Sequence, residues 1–178
     1  MQLTKISIRA LAITAVLVLC GTGAAQEMTK EAKILEALRA APSGIAKDAT
    51  VKDWDGSILR AGTNGWACYP GPEFMPHSPM CFDAVWEKWA QAWATKGEFK
   101  TDRIGISYML MGDSGGSNTD PFAMEPTEDN EWVVEGPHLM ILVPDEAMLE
   151  GLPDDPDTGG PYVMWKGTPY AHIMVPVH

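Results

Sequence analysis

The sequence predicts an α+β fold: a two-layer single domain in which two main amphipathic helices pack on one face of an antiparallel sheet. Three observations lead to this prediction. Apolar residues recur at helical spacing in two segments of the front half, Asp-Gly and Asn-Gly pairs separate short strand-like segments between them, and strand-like segments dominate the remainder. With 46% hydrophobic residues in 178, the composition fits one globular core.

The first predicted helix runs from Thr29, its N-cap, to Ala41. Ile34 and Leu38 lie on its apolar stripe, and Pro42 ends it. Beyond it, residues 49–54, 57–61 and 66–69 have the length and composition of strands. The turn-forming pairs between these segments predict a small antiparallel meander. A Pro-rich loop, residues 70–79, follows the meander.

The second predicted helix spans residues 84–96, with Asp83 as its N-cap and Gly97 as its stop. Its Trp residues share one stripe, a pattern typical of a core-facing surface. Strands are then expected at residues 103–111, 131–135, 138–143, 162–166 and 171–177, with a helical turn at 145–149 and an acidic turn at 153–161. The long loop 112–130 lies between them, and loops of that length are commonly functional.

The N-terminus has the layout of a signal peptide. Basic residues Lys5 and Arg9 precede an apolar run, residues 10–20, that is shorter than the ~20 residues needed to span a bilayer. Cleavage is expected after Ala25, leaving a single domain of residues 26–178 that is exported to the periplasm or the exterior and has no stable membrane insertion. A lipoprotein attached at Cys20 and a membrane anchor are the alternatives.

Charge and cysteine content narrow the function classes. A net charge of −11 argues against nucleic acid as a partner, because that binding depends on Lys and Arg contacts to phosphates. Cys68 and Cys81 are expected to form a disulfide after export. The alternative is a thiol ligand or a redox pair, although the spacing is unlike C-x-x-C.

The segment 112–116 reads Gly-Asp-Ser-Gly-Gly, as around the nucleophile of trypsin-like serine proteases. That fold needs two β-barrels and a general-base His upstream of the Ser, and the chain is too short for them. Ser114 therefore stays only a weak nucleophile candidate. Asp120, in the same loop, is a second candidate for a polar pocket with hydrolase or isomerase activity. No spacing supports a specific mechanism, so we expect binding rather than catalysis.

A His-[Leu/Ile]-Met sequence opens two predicted strands, at His138 with Met140 and at His172 with Met174. Residues i and i+2 of a strand share a face, so each His lies beside its Met. If the strands are neighbours, the four side chains converge, and imidazole with thioether suits copper as the cofactor. The alternative is ordinary packing, because Met fills irregular cores.

A weaker metal candidate lies in the Pro-rich loop, where His77 is flanked by Met75 and Met80. Three function classes thus follow from the sequence. The first is an exported small-ligand or soft-metal binding or accessory module. The second is a small exported enzyme with a polar pocket near loop 112–130, and the third is a protein-interaction module without a ligand.

Overall fold

The structure is a computed structural model that describes residues 28–177. It is a mixed α+β fold with a large, mostly antiparallel sheet and few helices, and this confirms the predicted class. The predicted leader, residues 1–25, lies outside the described residues. Within the described part of the chain, no helix is long and apolar enough to cross a bilayer.

The helices are short except for one. Thr29 caps the first of them through its side-chain oxygen, and Asp83 caps the longest. The α-helices are α1 (Lys30–Ala37), α2 (Ser43–Ala46) and α3 (Ala84–Ala94), and 3-10 helices cover Leu38–Ala40, Glu146–Leu149 and Pro156–Thr158.

Eight strands form the main sheet and two form a separate ladder. The strands of the sheet are β1 (Thr50–Lys52), β2 (Ile58–Arg60), β3 (Ala67–Tyr69), β4 (Met80–Phe82), β5 (Gly105–Met109), β8 (His138–Leu142), β9 (Tyr162–Met164) and β10 (His172–Pro176). Their order across it is β2-β1-β3-β4-β5-β8-β10-β9. The ladder joins β6 (Gly116–Ser117) to β7 (Trp132–Val133) inside and after the long loop.

The predicted antiparallel meander is wrong in its second half. Strand β1 pairs antiparallel with β2 but parallel with β3, so the Asn64-Gly65 pair does not close a hairpin. The chain instead crosses the start of β1, where the backbone N–H of Thr63 donates to the carbonyl of Asp48. Gly62 permits the crossing, because a Cβ there would lie 2.2 Å from the backbone of Ala49.

The two main helices lie on opposite faces of the sheet, whereas the sequence analysis placed both on one face. Strand β4 shows why: Cys81 points into a cluster with residues of α1, and its neighbours Met80 and Phe82 point into a cluster with α3. The sheet is therefore covered on both sides near its centre. The α3 side carries the larger, aromatic core.

A disulfide joins Cys68 to Cys81, as predicted. The two residues are direct cross-strand partners on β3 and β4, and both are fully buried beneath α1. The bond thus connects neighbouring strands behind the face that α3 covers. Its presence is compatible with an exported protein.

Candidate functional site

A cavity of about 320 Å³ lies between the sheet and α3. Its walls are almost entirely apolar, and they include six of the seven Trp residues and seven of the eleven Met residues of the chain. We name it the Trp–Met cavity. Its Trp and Met residues are Trp54, Trp86, Trp89, Trp93, Trp132, Trp165, Met75, Met80, Met109, Met124, Met140, Met164 and Met174.

The floor of the cavity is one face of the sheet, and strand register fixes which side chains meet there. Directly opposed residues of antiparallel strands share a face. The register pairs Met109 with His138, Met140 with Met174, and Met164 with His172. The floor is therefore a set of thioethers with one imidazole near each end.

Helix α3 forms the roof, and Asp83 holds its first turn to the sheet. One carboxylate oxygen of Asp83 accepts from the backbone N–H groups of Val85 and Trp86, and the other accepts from Ile106 on β5. Trp86 and Trp89 then face the floor and are 1% and 6% exposed. The predicted core role of these two indoles is confirmed.

The long loop forms a side wall, and buried polar contacts hold it in place. Asn118 is 4% exposed, and its amide donates to the side chain of Glu131 at 2.6 Å and to the carbonyl of Asp154 at 2.8 Å. Gly115 packs under Trp132, and a Cβ there would lie 2.2 Å from the indole nitrogen. The wall that the predicted long loop forms is therefore fixed by specific contacts.

His172 is buried against three indoles. Its ring lies edge-on to Trp86, Trp89 and Trp165, with ring centroids 5.1 to 5.6 Å apart. Burial lowers the pKa of His172 to about 4, so the ring is neutral at pH 7. Its Nδ1 lies 3.0 Å from the carbonyl oxygen of Tyr170. Because a carbonyl only accepts, Nδ1 carries the proton and Nε2 is the free acceptor.

His138 repeats this arrangement at the other end of the floor. It is fully buried, and its Nδ1 donates to the carbonyl oxygen of Gly136 at 2.7 Å. The Nε2 atoms of His138 and His172 both lack a hydrogen-bond partner within the described structure. Buried indole N–H groups of Trp86 and Trp89 lack one as well. The walls therefore contain acceptors and donors whose hydrogen bonds are unmade.

Asp113 is a cavity residue that the sequence analysis missed. One of its carboxylate oxygens accepts from the backbone N–H groups of Gly115 and Glu135 at 3.0 Å each. Burial and the nearby carboxylate of Glu135 raise the pKa of Asp113, while the hydrogen bonds from the backbone N–H groups of Glu135 and Gly115 act in the opposite direction. A single Asp in a Gly-rich loop has no distinguishing sequence signal, and only the packing of the loop against β8 places it here.

Exposed apolar side chains surround the mouth of the cavity. Trp54, Phe74 and Met124 line the cavity and are 42%, 48% and 56% exposed. The rings of Trp54 and Tyr69 stack with their centroids 4.7 Å apart, and the ring centroids of Phe74 and Trp93 lie 6.0 Å apart. The opening of the cavity is therefore lined by apolar side chains, as its interior is.

The four residues of the predicted soft-metal site, His138, Met140, His172 and Met174, lie on one face of adjacent strands. The register aligns the two Met residues and sets His138 opposite Pro176. At about 3.3 Å per residue, the two His α-carbons are offset by roughly 13 Å along the strands. The strands are therefore neighbours, but the two imidazoles are not opposed and the four side chains do not converge on one point. Each imidazole instead has a different Met directly opposite it, Met109 for His138 and Met164 for His172.

The second predicted metal cluster is divided by the fold. The side chain of His77 is 87% exposed and lies 3.2 Å from a carboxylate oxygen of Glu36, whereas Met75 and Met80 line the cavity. Within residues 28–177, no group of three or more His, Cys, Asp or Glu side chains is arranged to hold a metal ion. A metal in this part of the chain would need methionine sulfur as a major ligand.

Neither of the two weak catalytic candidates, Ser114 and Asp120, is part of a catalytic arrangement. Ser114 is exposed, and the hydrogen bonds that the structure gives it are with Ser78. Asp120 lines the cavity, and its side chain accepts from the backbone N–H of Phe122 as a turn residue does. Neither residue is hydrogen-bonded to a His in the described structure.

Comparisons with family models, curated proteins and solved structures found no match for this chain. Function has to be argued from the cavity alone.

Proposed function

We propose that this chain is an exported binding protein for a small ligand that occupies the Trp–Met cavity. The observation that supports the proposal is an apolar cavity of about 320 Å³ whose walls contain buried polar atoms without partners. A volume near 300 Å³ lies at the lower end of the range for small-molecule sites, and such sites combine apolar walls with a few polar groups.

The unpaired atoms give this argument its energetic basis. A buried donor or acceptor without a partner costs about 1–3 kcal/mol, and most buried groups avoid that cost. Here the imidazole Nε2 atoms of His138 and His172 are acceptors, and the indole N–H groups of Trp86 and Trp89 are donors. These atoms are buried behind the wall surface, so a ligand recovers part of this cost only where the wall side chains shift, and the apolar walls stabilise the rest of its surface.

Binding can be tested with N-phenyl-1-naphthylamine, a neutral apolar fluorophore whose emission rises in a dry cavity. We expect saturable binding at one site. Ala90→Leu should weaken it at least about tenfold, because Ala90 lines the cavity from α3 and the larger side chain fills part of the volume. The matched control is Ala84→Leu on the same helix, where the side chain is exposed and does not line the cavity.

Equal weakening by both variants would contradict the proposal, since the probe would then report a general loss of structure. Unsaturable binding that Ala90→Leu leaves unchanged would contradict it too, because the probe would then be on the surface.

Copper(I) is a second candidate ligand, and the Met residues directly opposite both imidazoles favour it. Neutral imidazole and thioether are ligands that suit Cu(I), and an Nδ1–H bonded to a backbone carbonyl is the usual orientation of a metal-ligating His. Met109→Leu and Met164→Leu should each weaken Cu(I) binding about tenfold in competition with a thioether chelator. Met148→Leu is the control, because Met148 is 53% exposed and lies outside the cavity.

A variant with both His138→Ala and His172→Ala that binds Cu(I) like the parent would eliminate the copper candidate. Binding of the neutral fluorophore is independent of that result, so the two candidates are separable.

Export is part of the proposal and has its own test. The intact mass of secreted or periplasmic material should equal that of a chain that begins at Gln26, less two hydrogens because of the disulfide. A lipid on Cys20, or a retained leader, would contradict it.

A further inference from the structure

We propose that the ligand of the Trp–Met cavity is an organic ammonium ion, that is, a molecule with an apolar body and one protonated amine. This inference rests on the proposed function, because it assigns a chemical class to the ligand of the same cavity. Two features of the described residues support it: the sign of the charge on the lining and the density of indole rings.

The charged residues that line the cavity are all acidic. They are Asp113 and Asp120, and no Lys or Arg is among the cavity-lining residues of the described chain. The whole chain has a net charge of −11, so its long-range field also attracts cations. The carboxylate of Asp113 is largely surrounded by protein, and an ion pair formed there is screened less than one on the surface.

The indole lining suits a cation as well. A cation over an indole face gains about 0.5–2 kcal/mol, and Trp is the best aromatic partner. Six Trp residues line the cavity. A neutral aromatic ligand can stack on the indole faces, whereas a cation gains an additional electrostatic attraction to them.

Two isosteric probes test the charge directly. The first is the protonated form of 2-(dimethylamino)-1-phenylethanol, and the second is neutral 3-methyl-1-phenylbutan-1-ol, which replaces the ammonium N–H by C–H. Binding is measured by calorimetry and by Trp fluorescence of the exported chain at pH 7. We expect the cation to bind at least about tenfold more tightly than the alcohol.

Asp113→Asn removes the charge and retains the oxygen that accepts from Gly115 and Glu135. It should reduce the preference for the cation over the neutral alcohol to less than about threefold. Asp102→Asn is the matched control, because it removes the same charge from a residue that does not line the cavity. The control should keep the parent's preference.

Equal or tighter binding of the alcohol would overturn the ammonium inference and leave the proposed cavity binding intact. Failure of both probes would also overturn it, and the result with the neutral fluorophore would then decide separately whether the cavity binds ligands. A cation preference that Asp102→Asn reduces as much as Asp113→Asn would overturn it as well, since the attraction would come from the general charge of the chain.

Discussion

Acid should destabilise this protein through His172, and the effect can be calculated from its burial. The pKa of His172 is lowered to about 4 in the folded chain, against the ordinary value of 6.5 that applies when the chain is unfolded. Between these two values the unfolded chain binds a proton that the folded chain does not. Stability therefore falls as the pH falls from about 6.5 towards 4, and it is fully present above that window.

Each pKa unit corresponds to 1.36 kcal/mol. The full difference is therefore about 3.4 kcal/mol, and at pH 4.5 the contribution of His172 has decreased by about 2.5 kcal/mol relative to pH 7.5. Asp113 acts in the opposite sense, because a raised pKa in the folded state adds stability as the pH falls. A measurement on the parent alone would mix the two effects.

The comparison is between the parent and His172→Gln, which keeps a polar side chain but cannot titrate. Urea unfolding followed by Trp fluorescence at pH 7.5 and 4.5 gives the two free energies of unfolding. We expect the parent to lose about 2.5 kcal/mol more than the variant over this range. A parallel loss in both proteins would refute the reasoning.

If His172→Gln does not fold, NMR titration of the parent gives the same information. The ring signals of His172 should not titrate between pH 7.5 and 5. Titration with a midpoint near 6.5 would show that burial does not exclude the charged form.

Three further predictions concern the framework of the cavity. Replacing Cys68 and Cys81 by Ser should lower the free energy of unfolding by about 3 kcal/mol in denaturant melts, because the bond closes the loop between these two residues and so restricts the unfolded chain. An unchanged unfolding midpoint would contradict this stabilisation by the disulfide. Trp86→Ala should cost about 3–5 kcal/mol in the same assay because the indole is 1% exposed, and a loss below 1 kcal/mol would mean that the roof repacks. Gly115→Ala should cost about 1–3 kcal/mol, since the residue has φ +112° and the new Cβ would meet Trp132, and a melt like the parent's would show that the wall yields.

The sequence predicts the strands that form the floor because their signals are local. His138 and His172 each open a continuous run of apolar residues, and both runs are observed as strands. Strand β4 was missed because its three residues lie between Pro79 and Asp83, and so short a segment has no periodicity to detect. Its place in the sheet is decided by pairing with β3 and β5, which is a tertiary property.

The candidate site also has features that the sequence predicts and features that it does not. Alternation along each strand is enough to place His138 beside Met140, and His172 beside Met174. Alternation does not fix the register between the two strands, because the register depends on how the chain returns after the intervening segment. The same limit applies to Asp113, whose burial depends on the loop folding back against β8. Sequence reasoning therefore finds the chemical types in the site but not which of them are opposed.

The thioether-rich lining makes the interior a target for oxidants. Conversion of a methionine to its sulfoxide replaces an apolar group by a polar, chiral one. Met124, at the mouth, is 56% exposed, whereas Met174, on the floor, is 1% exposed. Hypochlorite or peroxide should thus modify the entrance first and the floor only after the protein opens, so that oxidative damage to the site is graded by depth.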